Sequence, residues 1–316
     1  STQEYVTGEV KFKLYKGNPI IKNPLNSFVV ADPSVLTPDV SHDGKWHLFC
    51  HTFFGVYRYE SEDGINFKNT GKIVNRAMRP NINYIDGKYY MYFPLKDRND
   101  IFRLGVAISD SPVGPFVPQP DPVRGSYSID PAILEEDGKY YMYFGGLWGG
   151  QLQRYKDNKA LESAYLPSGD EVAVPARVVR LSDDMLGFAE EPKPVVVVDE
   201  EGKPLTAENP YRFFEASWMH KYNGKYYFTY STGDTHYLCY AIGDNPYGPF
   251  TYKGVILTPV VGWTTHHSIV EFGGKWWLFH HDSVPSGGRT WLRSLKVCEL
   301  KYNEDGTIQT IEGIDE

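Results

Sequence analysis

Three acidic residues stand at the start of strand-like segments that lie far apart in the chain: Asp32 in VADPSVL, Asp130 in SIDPAIL and Glu215 in FFEASWM. Like charges held together in a partly desolvated pocket raise the pKa of at least one carboxyl group, which can then serve as a general acid near neutral pH. Another carboxylate stays ionised and can activate water. Hydrolysis of a glycosidic bond with inversion requires this division of labour, with the acid and base carboxyls about 6.5–9.5 Å apart.

Each acid taken alone also has an ordinary structural explanation. Asp before Pro, as at Asp32 and Asp130, is a common turn pair. Glu215 lies in an aromatic stretch, where an unpaired carboxylate would be costly to bury. Because all three stand at equivalent positions of three repeated units, we interpret them together as a catalytic set.

The elements that must position these residues form an internal repeat. One phrase, a turn ending in Gly-Lys followed by aromatic and aliphatic residues, occurs five times: HDGKWHLFCH from His42, IDGKYYMYFP from Ile85, EDGKYYMYFG from Glu136, YNGKYYFTYS from Tyr222 and FGGKWWLFHH from Phe272. Other strand-like segments flank each phrase and bring each unit to four strands. A single antiparallel sheet cannot bury both of its faces, whereas sheets packed around an axis can. The repeat therefore predicts an all-β fold, a five-bladed β-propeller with four-stranded antiparallel blades; a two-sheet sandwich, the alternative, has no reason to repeat its sequence.

We predict a single propeller domain over residues 1–316. The length of 316 residues and the hydrophobic content of 41% are sufficient for one large core. The repeats are nearly evenly spaced except between the third and the fourth, where a polar insertion runs from about 151 to 209. We assign this insertion to loops at the edges of blades 3 and 4.

The first strand of each propeller blade lines the central channel, so the residues at the start of these strands should converge on one mouth. Arg79 in AMRPNIN and His266 in TTHHSIV stand eight residues before their repeat glycine, as Asp130 does. We expect His266 to enter the channel and to bind a hydrated cation, with calcium as the expected ion. The alternative is a channel histidine without a ligand.

Sugars bind to flat apolar surfaces that are flanked by polar groups. The candidate substrate-binding aromatics are Phe53, Phe54, Trp148 and Trp218, and core packing is the alternative for each. Arg289 in SGGRTWLR could contact a sugar hydroxyl or a catalytic carboxylate, or be a solvated loop arginine.

The formal net charge of −8 gives no basic surplus for nucleic acid or for an anionic lipid surface. No apolar run is long enough to span a membrane. We therefore expect an oligosaccharide or polysaccharide substrate, no nucleic-acid or membrane partner, and a monomer. The cysteines Cys50, Cys239 and Cys298 lack paired spacings, so we predict buried thiols.

The segment STQEYVTGEV has neither the basic head nor the apolar stretch of a signal peptide. We expect a periplasmic or extracellular protein whose signal has been removed, with the cytoplasm as the alternative location.

At these residues the sequence resembles glycoside hydrolase family 43, the group of β-xylosidases, α-L-arabinofuranosidases and arabinanases. The strongest matches are VADPSV, SIDPAILEEDGKYYMYFGG and FFEASWMHKYNGKYYFTYS. The resemblance implies Asp32 as the general base, Asp130 as the group that modulates the pKa and position of the acid, and Glu215 as the general acid. THHSIVEF resembles the segment that supplies the family's metal-binding histidine, here His266. No cofactor is implied for the chemistry itself.

One segment departs from the family pattern. Family members often carry Trp-Ala-Pro at the entry to the second blade, where this chain has Met78, Arg79 and Pro80. We expect Arg79 to contact the substrate and to affect which sugar is accepted.

Two other functions remain open at the level of sequence. A glycoside phosphorylase on the same fold would replace the attacking water by phosphate, which Arg79, Arg289, His266 and His267 could bind. A non-catalytic sugar-binding propeller would use the acids for hydroxyl contacts only. The sequence also leaves open xylose against arabinose, and terminal against internal cleavage.

Overall fold

The computed structural model describes residues 5–6, 9–10, 18–21, 31–52, 55–64, 66–75, 79–260, 266–282 and 294–313. Within these ranges the chain forms five small antiparallel sheets, each of which contains four consecutively paired strands. The predicted five-bladed β-propeller is confirmed, and we number its blades 1 to 5 along the chain.

The strands of each blade run from the channel outward. Blade 1 consists of Ala31–Leu36, Trp46–Thr52, Gly55–Ser61 and Lys68–Asn75. Blade 2 consists of Asn81–Ile85, Lys88–Lys96, Phe102–Ser109 and Val117–Pro118. Blade 3 consists of Ala132–Glu136, Lys139–Phe144, Arg177–Arg180 and Lys193–Pro194. Blade 4 consists of Glu215–Tyr222, Lys225–Ser231, Leu238–Gly243 and Phe250–Leu257. Blade 5 consists of Ser268–Phe272, Lys275–Asp282, Ser294–Leu300 and Asn18–Ile21.

The fifth blade joins two distant parts of the chain. Its outermost strand, Asn18–Ile21, precedes blade 1 in sequence and pairs antiparallel with Ser294–Leu300. Asp32, at the start of blade 1, then donates its backbone N–H to His281 Nδ1 of blade 5 at 3.3 Å. These contacts link the last blade to the first and close the ring.

Short elements complete the described chain. They are the helix Pro38–Ser41, the 3-10 turns Trp148–Gly150 and Leu152–Arg154, the hairpin Tyr155–Lys156 with Lys159–Ala160, the hairpin Tyr5–Val6 with Glu9–Val10, and the strand Val197–Val198. No helix within the described ranges has the length and apolar character needed to cross a membrane.

The insertion at about 151–209 is more ordered than predicted. It contains the two outer strands of blade 3, Arg177–Arg180 and Lys193–Pro194. It also contains Val197–Val198, which pairs parallel with the outer strand of blade 4 and gives that blade a fifth strand. Assigning the whole insertion to loops was therefore wrong, and the runs RVVR and PVVVV carried the strand signal.

The repeated phrases form tight hairpin turns. Asp86–Gly87, Asp137–Gly138, Asn223–Gly224 and Gly273–Gly274 all have positive φ at both central positions, between 48° and 85°. Two positive φ values in succession match the twist of the flanking strands, and Asx-Gly or Gly-Gly is the residue pair that adopts them at least cost. The turns therefore fix the register of the two inner strands of blades 2 to 5.

Buried tyrosines account for much of the core between blades. Tyr92 and Tyr143 are fully buried, and their hydroxyls donate to the backbone carbonyls of Met185 at 2.7 Å and Pro246 at 2.5 Å. A tyrosine can thus fill apolar space in one blade while its hydroxyl is satisfied by a neighbouring loop. Cys50, Cys239 and Cys298 are buried free thiols, as predicted.

Candidate active site

The starts of the inner strands meet around one cavity at the mouth of the propeller. Its lining includes Asp32 of blade 1, Arg79 of blade 2, Asp130 of blade 3, Trp218 of blade 4 and His266 of blade 5. Every blade contributes a polar or aromatic side chain, because the first strand of each one faces the axis. The structure thus brings Asp32, Arg79, Asp130 and His266 to one cavity, as expected for residues at the starts of inner strands.

An unusual backbone conformation marks four of these strand starts. Asp32, Arg79, Asp130 and Ala216 have φ of 58°, 49°, 62° and 64°, in the left-handed region. Aspartate tolerates this region, but arginine and alanine adopt it only at a cost, which is typical of functional sites. Ala216, and not Glu215, is therefore the blade 4 counterpart of Asp130, so the prediction of three equivalent positions is wrong by one residue for Glu215.

A bulge lies where Glu215 comes into contact with Arg79, despite this offset. The pairing of Glu215–Tyr222 with the next strand shifts register between Glu215 and Trp218. A bulge bends the strand and redirects its side chains, and bulges are common beside active sites. Glu215 is buried, with 7% of its surface exposed.

Arg79 bridges two of the three carboxyl groups. Its Nη1 lies 3.4 Å from Asp130 Oδ1 and 3.4 Å from Glu215 Oε2. Asp130 Oδ2 also accepts the backbone N–H of Ala216 at 3.0 Å, and Asp130 Oδ1 lies 2.8 Å from His266 Nε2. Groups from three other blades therefore surround Asp130.

The electrostatics of Asp130 and Glu215 favour retention of one proton by these two carboxyl groups. Burial raises the pKa of Asp130 well above its ordinary value; the Arg79 guanidinium acts in the opposite sense, and the Glu215 carboxyl raises it further. The carboxyl groups of Asp130 and Glu215 have oxygens within 4.8 Å of each other, so they titrate as a pair. The Ala216 N–H favours the ionised form of Asp130, whereas Arg79 donates at the same distance to Asp130 and to Glu215, so the two carboxyls share the retained proton.

The pKa of Asp32 is shifted in the opposite direction. Burial raises its pKa, but His266, His281 and Arg79, which are positive in the acidic range, outweigh burial and hold the pKa below its ordinary value. Among the described residues, none hydrogen-bonds to Asp32 Oδ1. Asp32 is therefore an ionised, buried carboxylate, whereas Asp130 and Glu215 hold a proton between them.

The predicted substrate-binding residues have different locations. Trp218 is half-buried at the cavity, with its ring 6.2 Å from that of His267. Trp148 is 59% exposed and is not a core residue. Arg79 contacts the carboxyl groups, which was not its predicted role. Phe53, Phe54 and Arg289 lie outside the described residues.

Two further histidines belong to this region. His281 was not identified from the sequence, and His267 was named only as a phosphate ligand of the phosphorylase alternative. His281 is fully buried, accepts the Asp32 N–H, and has Nδ1 3.9 Å from Asp32 Oδ1. His267 binds Thr229 Oγ1 through Nε2 at 2.6 Å and so ties blade 5 to blade 4. The signal for His281 was a histidine at the end of the otherwise apolar run KWWLFHH.

One group of side chains in the described ranges could hold a metal ion. Asp130, Glu215 and His266 each offer a ligand atom, these atoms all lie within 4.8 Å of one another, and all three residues are buried. Carboxylate oxygens suit calcium, which usually takes further oxygens from water. The residues fit a hydrated cation that shares the carboxyls with Arg79.

Comparison with known proteins identifies relatives over most of the chain. The family model described as "Glycosyl hydrolases family 43" matches residues 21–308. A xylosidase/arabinosidase of Bacteroides ovatus is 76% identical over 233 residues, which cover 73% of this chain and 72% of that protein. A β-xylosidase of Xylanibacter ruminicola is 66% identical over 228 residues and covers 72% of each chain.

Solved structures resemble the whole propeller. The β-xylosidase RS223 superposes with a TM-score of 0.88 at 53% identity and covers 95% of this chain and 99% of its own. CoXyl43, a β-xylosidase/α-arabinofuranosidase from a compost microbial metagenome, superposes with a TM-score of 0.87 at 46% identity, covering 96% and 99%. That structure is a calcium-free form in complex with xylotriose.

Proposed function

Because this chain belongs to glycosyl hydrolase family 43 and is a glycoside hydrolase, we propose that it releases xylosyl or arabinofuranosyl units from xylan-type oligosaccharides with inversion at the anomeric carbon. The observation that carries the proposal is the meeting of three buried carboxyl groups, from blades 1, 3 and 4, at the mouth of the propeller. The pKa of Asp32 is held below its ordinary value, whereas burial and the Glu215 carboxyl raise the pKa of Asp130, so that the pair of Asp130 and Glu215 retains one proton. An inverting enzyme needs one ionised carboxylate and one carboxylic acid.

The proposed reaction is a single displacement. A water oxygen attacks the anomeric carbon while the bond from that carbon to the glycosidic oxygen breaks. Asp32 accepts a proton from the attacking water, and Glu215 gives its proton to the departing oxygen. The enzyme returns to its starting state when Asp32 loses a proton to solvent and Glu215 regains one, so that atoms and charge balance.

Asp130 and Arg79 position the acid in this scheme. The negative charge of Asp130 favours a proton on Glu215, and Arg79 balances this charge so that the buried group remains stable. The backbone N–H of Ala216 fixes Asp130, and Ala216 directly follows Glu215 in the chain. Movement of the acid is thus coupled to that of its modulator.

The substrate class is supported by the relatives. Two of them are named for xylose and one also for arabinose, and a relative of known structure binds xylotriose. The cavity lies among aromatic and charged groups, which suits a sugar with several hydroxyls. We propose action on xylosides and arabinofuranosides and leave their ratio to measurement.

We also propose that His266, with the carboxyls of Asp130 and Glu215, takes a hydrated calcium ion. When bound, the ion would supply positive charge that stabilises the ionised form of the nearby carboxyls. The chemistry itself uses only Asp32 and Glu215.

The phosphorylase alternative loses one of its supports. Arg79 is held between two carboxyls and is not presented as part of an anion site. We therefore expect sugar release that does not depend on phosphate.

Proton NMR of the first-formed sugar anomer tests the proposal. With an aryl β-xyloside, we expect the α-anomer to appear first and the β-anomer to grow in by mutarotation. Glu215→Gln should abolish most of the turnover of xylobiose, whereas Glu162→Gln, an exposed acid on the insertion, should leave it unchanged. First appearance of the β-anomer, or release only in the presence of phosphate, would refute the proposed mechanism.

A further inference from the structure

Two aromatic side chains are far more exposed than the rest. Among the residues that the structure describes, Trp148 and Tyr165 are the two aromatics classed as exposed, at 59% and 53%. Every other Phe, Tyr or Trp side chain whose exposure the structure describes is buried or half-buried. An exposed Trp or Tyr is a large apolar face with a polar tip, the type of surface on which sugar rings pack.

The loop that carries Trp148 is rigid. Ser128 Oγ donates to Gly150 O at 2.7 Å and accepts the Gly146 N–H at 3.1 Å. A Cβ added to Gly150 would lie 2.5 Å from Ile129 Cγ1, so the loop backbone packs directly on that side chain. Only glycine allows this approach. The exposed ring therefore extends from a fixed base.

One buried glutamine holds both exposed aromatics. Gln153, 5% exposed, accepts the Trp148 N–H with its side-chain Oε1 at 2.8 Å and the Tyr165 N–H with its backbone oxygen at 3.0 Å. Trp148 has φ of 53°, which is costly for a bulky residue. Strain of this kind persists where the surroundings impose it, and it is concentrated at functional sites.

The loop lies directly beside Glu215. The Leu147 N–H donates to Phe214 O at 3.1 Å, one residue before the proposed acid. A Cβ added to Gly146 would lie 3.3 Å from Glu215 Cβ. Trp148 follows Gly146 by two residues, so their Cα atoms are at most about 7 Å apart.

The position of the Trp148 loop beside Glu215 indicates which part of the substrate the loop would contact. A general acid lies next to the glycosidic oxygen that it protonates, so the sugar beyond that oxygen, the leaving group, is on the acid's side of the cavity. We propose that Trp148 and Tyr165 form a platform for the leaving-group xylosyl units of a xylo-oligosaccharide, and that Gln153 holds this platform in place. The inference rests on the proposed function. It adds the part of the site that makes activity depend on the length of the substrate.

Comparison of two substrates tests the platform. Xylobiose has a sugar as its leaving group, whereas β-xylosyl fluoride has none. We expect Trp148→Ala to lower kcat/KM for xylobiose about 10-fold or more and to change that for the fluoride by less than about 2-fold. Val172→Ala, on the same insertion and 56% exposed, is the control and should change neither.

Two more variants separate the parts of the platform. Tyr165→Ala should lower kcat/KM for xylotriose more than kcat/KM for xylobiose. Gln153→Met should mimic Trp148→Ala on xylobiose, and its melting temperature shows whether the fold is retained. Equal losses on xylobiose and the fluoride, or no loss on either with Trp148→Ala, would overturn the platform. A wild-type protein inactive on both substrates would instead refute the proposed function.

Discussion

Arg79 Nη1 lies 3.4 Å from Glu215 Oε2, so a permanent positive charge is held against the proposed general acid. The same nitrogen is equally close to Asp130 Oδ1. Arginine remains protonated at all pH values at which the enzyme would work. It therefore influences both the charge of the acid pair and, through the shared cavity, that of Asp32.

Replacement of Arg79 by methionine should move both limbs of the pH profile of kcat/KM to higher pH. Arg79 lowers the pKa of Asp32 and opposes the rise in the pKa of Asp130, so both pKa values should increase when the charge is lost. Activity falls on the acid side as Asp32 gains a proton and on the alkaline side as the acid pair loses one. We expect shifts of about one pH unit.

The control for this experiment is Arg124→Met, which removes a surface arginine paired with Asp184 at 2.9 Å. It should leave both limbs in place. If Arg79→Met changes KM alone and neither limb moves, Arg79 contacts the sugar, as the sequence first suggested.

Different leaving groups should separate the roles of Glu215 and Asp32. Glu215→Gln removes the proton donor, so kcat should fall about 10²–10⁴-fold with xylobiose but much less with an aryl xyloside whose phenol leaves without protonation. Asp32→Asn removes activation of the attacking water, so both substrates should suffer alike. Steady-state kinetics on the two substrates measures this, and the reverse pattern would exchange the two assignments.

The sequence predicts the blades well because their determinants are local. An Asx-Gly turn followed by an aromatic run specifies a hairpin without reference to the rest of the chain, as at Asp137–Gly138. Repetition of this signal then gives the number of blades. The outer strand of blade 5 is different, because Asn18–Ile21 pairs with Ser294–Leu300 from the other end of the chain. No local pattern contains that pairing.

The candidate site shows the same division between local and long-range determinants. Asp32, Asp130 and Glu215 can be found from their positions before repeated strands. The role of Arg79 cannot, because it depends on a contact with Glu215, 136 residues away. His281 likewise becomes a site residue only when ring closure brings it to Asp32, 249 residues away.

Substitution of Asp130 by asparagine should stabilise the fold while it inactivates the enzyme. The folded pKa of Asp130 lies above its unfolded value, so its contribution to stability is present below the unfolded pKa and is lost as pH rises through the folded pKa. Asparagine carries no charge and can still accept the Ala216 N–H. We expect Tm to rise by about 2–4 °C at pH 7.

The pH dependence of this gain is its check. Scanning calorimetry at pH 4 and pH 7 should show a smaller difference between Asp130→Asn and wild type at the lower pH, because the wild-type carboxyl is then protonated. A variant that melts lower than wild type at pH 7 would mean that the pair with Arg79 contributes more than burial and repulsion cost.

Calcium should stabilise the wild-type protein through His266. A ligand that binds only the folded state raises Tm with concentration, and the three ligand atoms within 4.8 Å provide such a site. After treatment with a chelator and dialysis, added Ca²⁺ should raise Tm in the wild type and leave that of His266→Ala unchanged. His42→Ala removes the histidine at the C-terminal end of the helix Pro38–Ser41. It serves as the matched control and should retain the response to Ca²⁺.

Because His266 Nε2 also lies 2.8 Å from Asp130 Oδ1, binding of Ca²⁺ should weaken as pH falls and protons compete for the same atoms. A Tm that rises equally in the wild type and in His266→Ala would place the ion elsewhere.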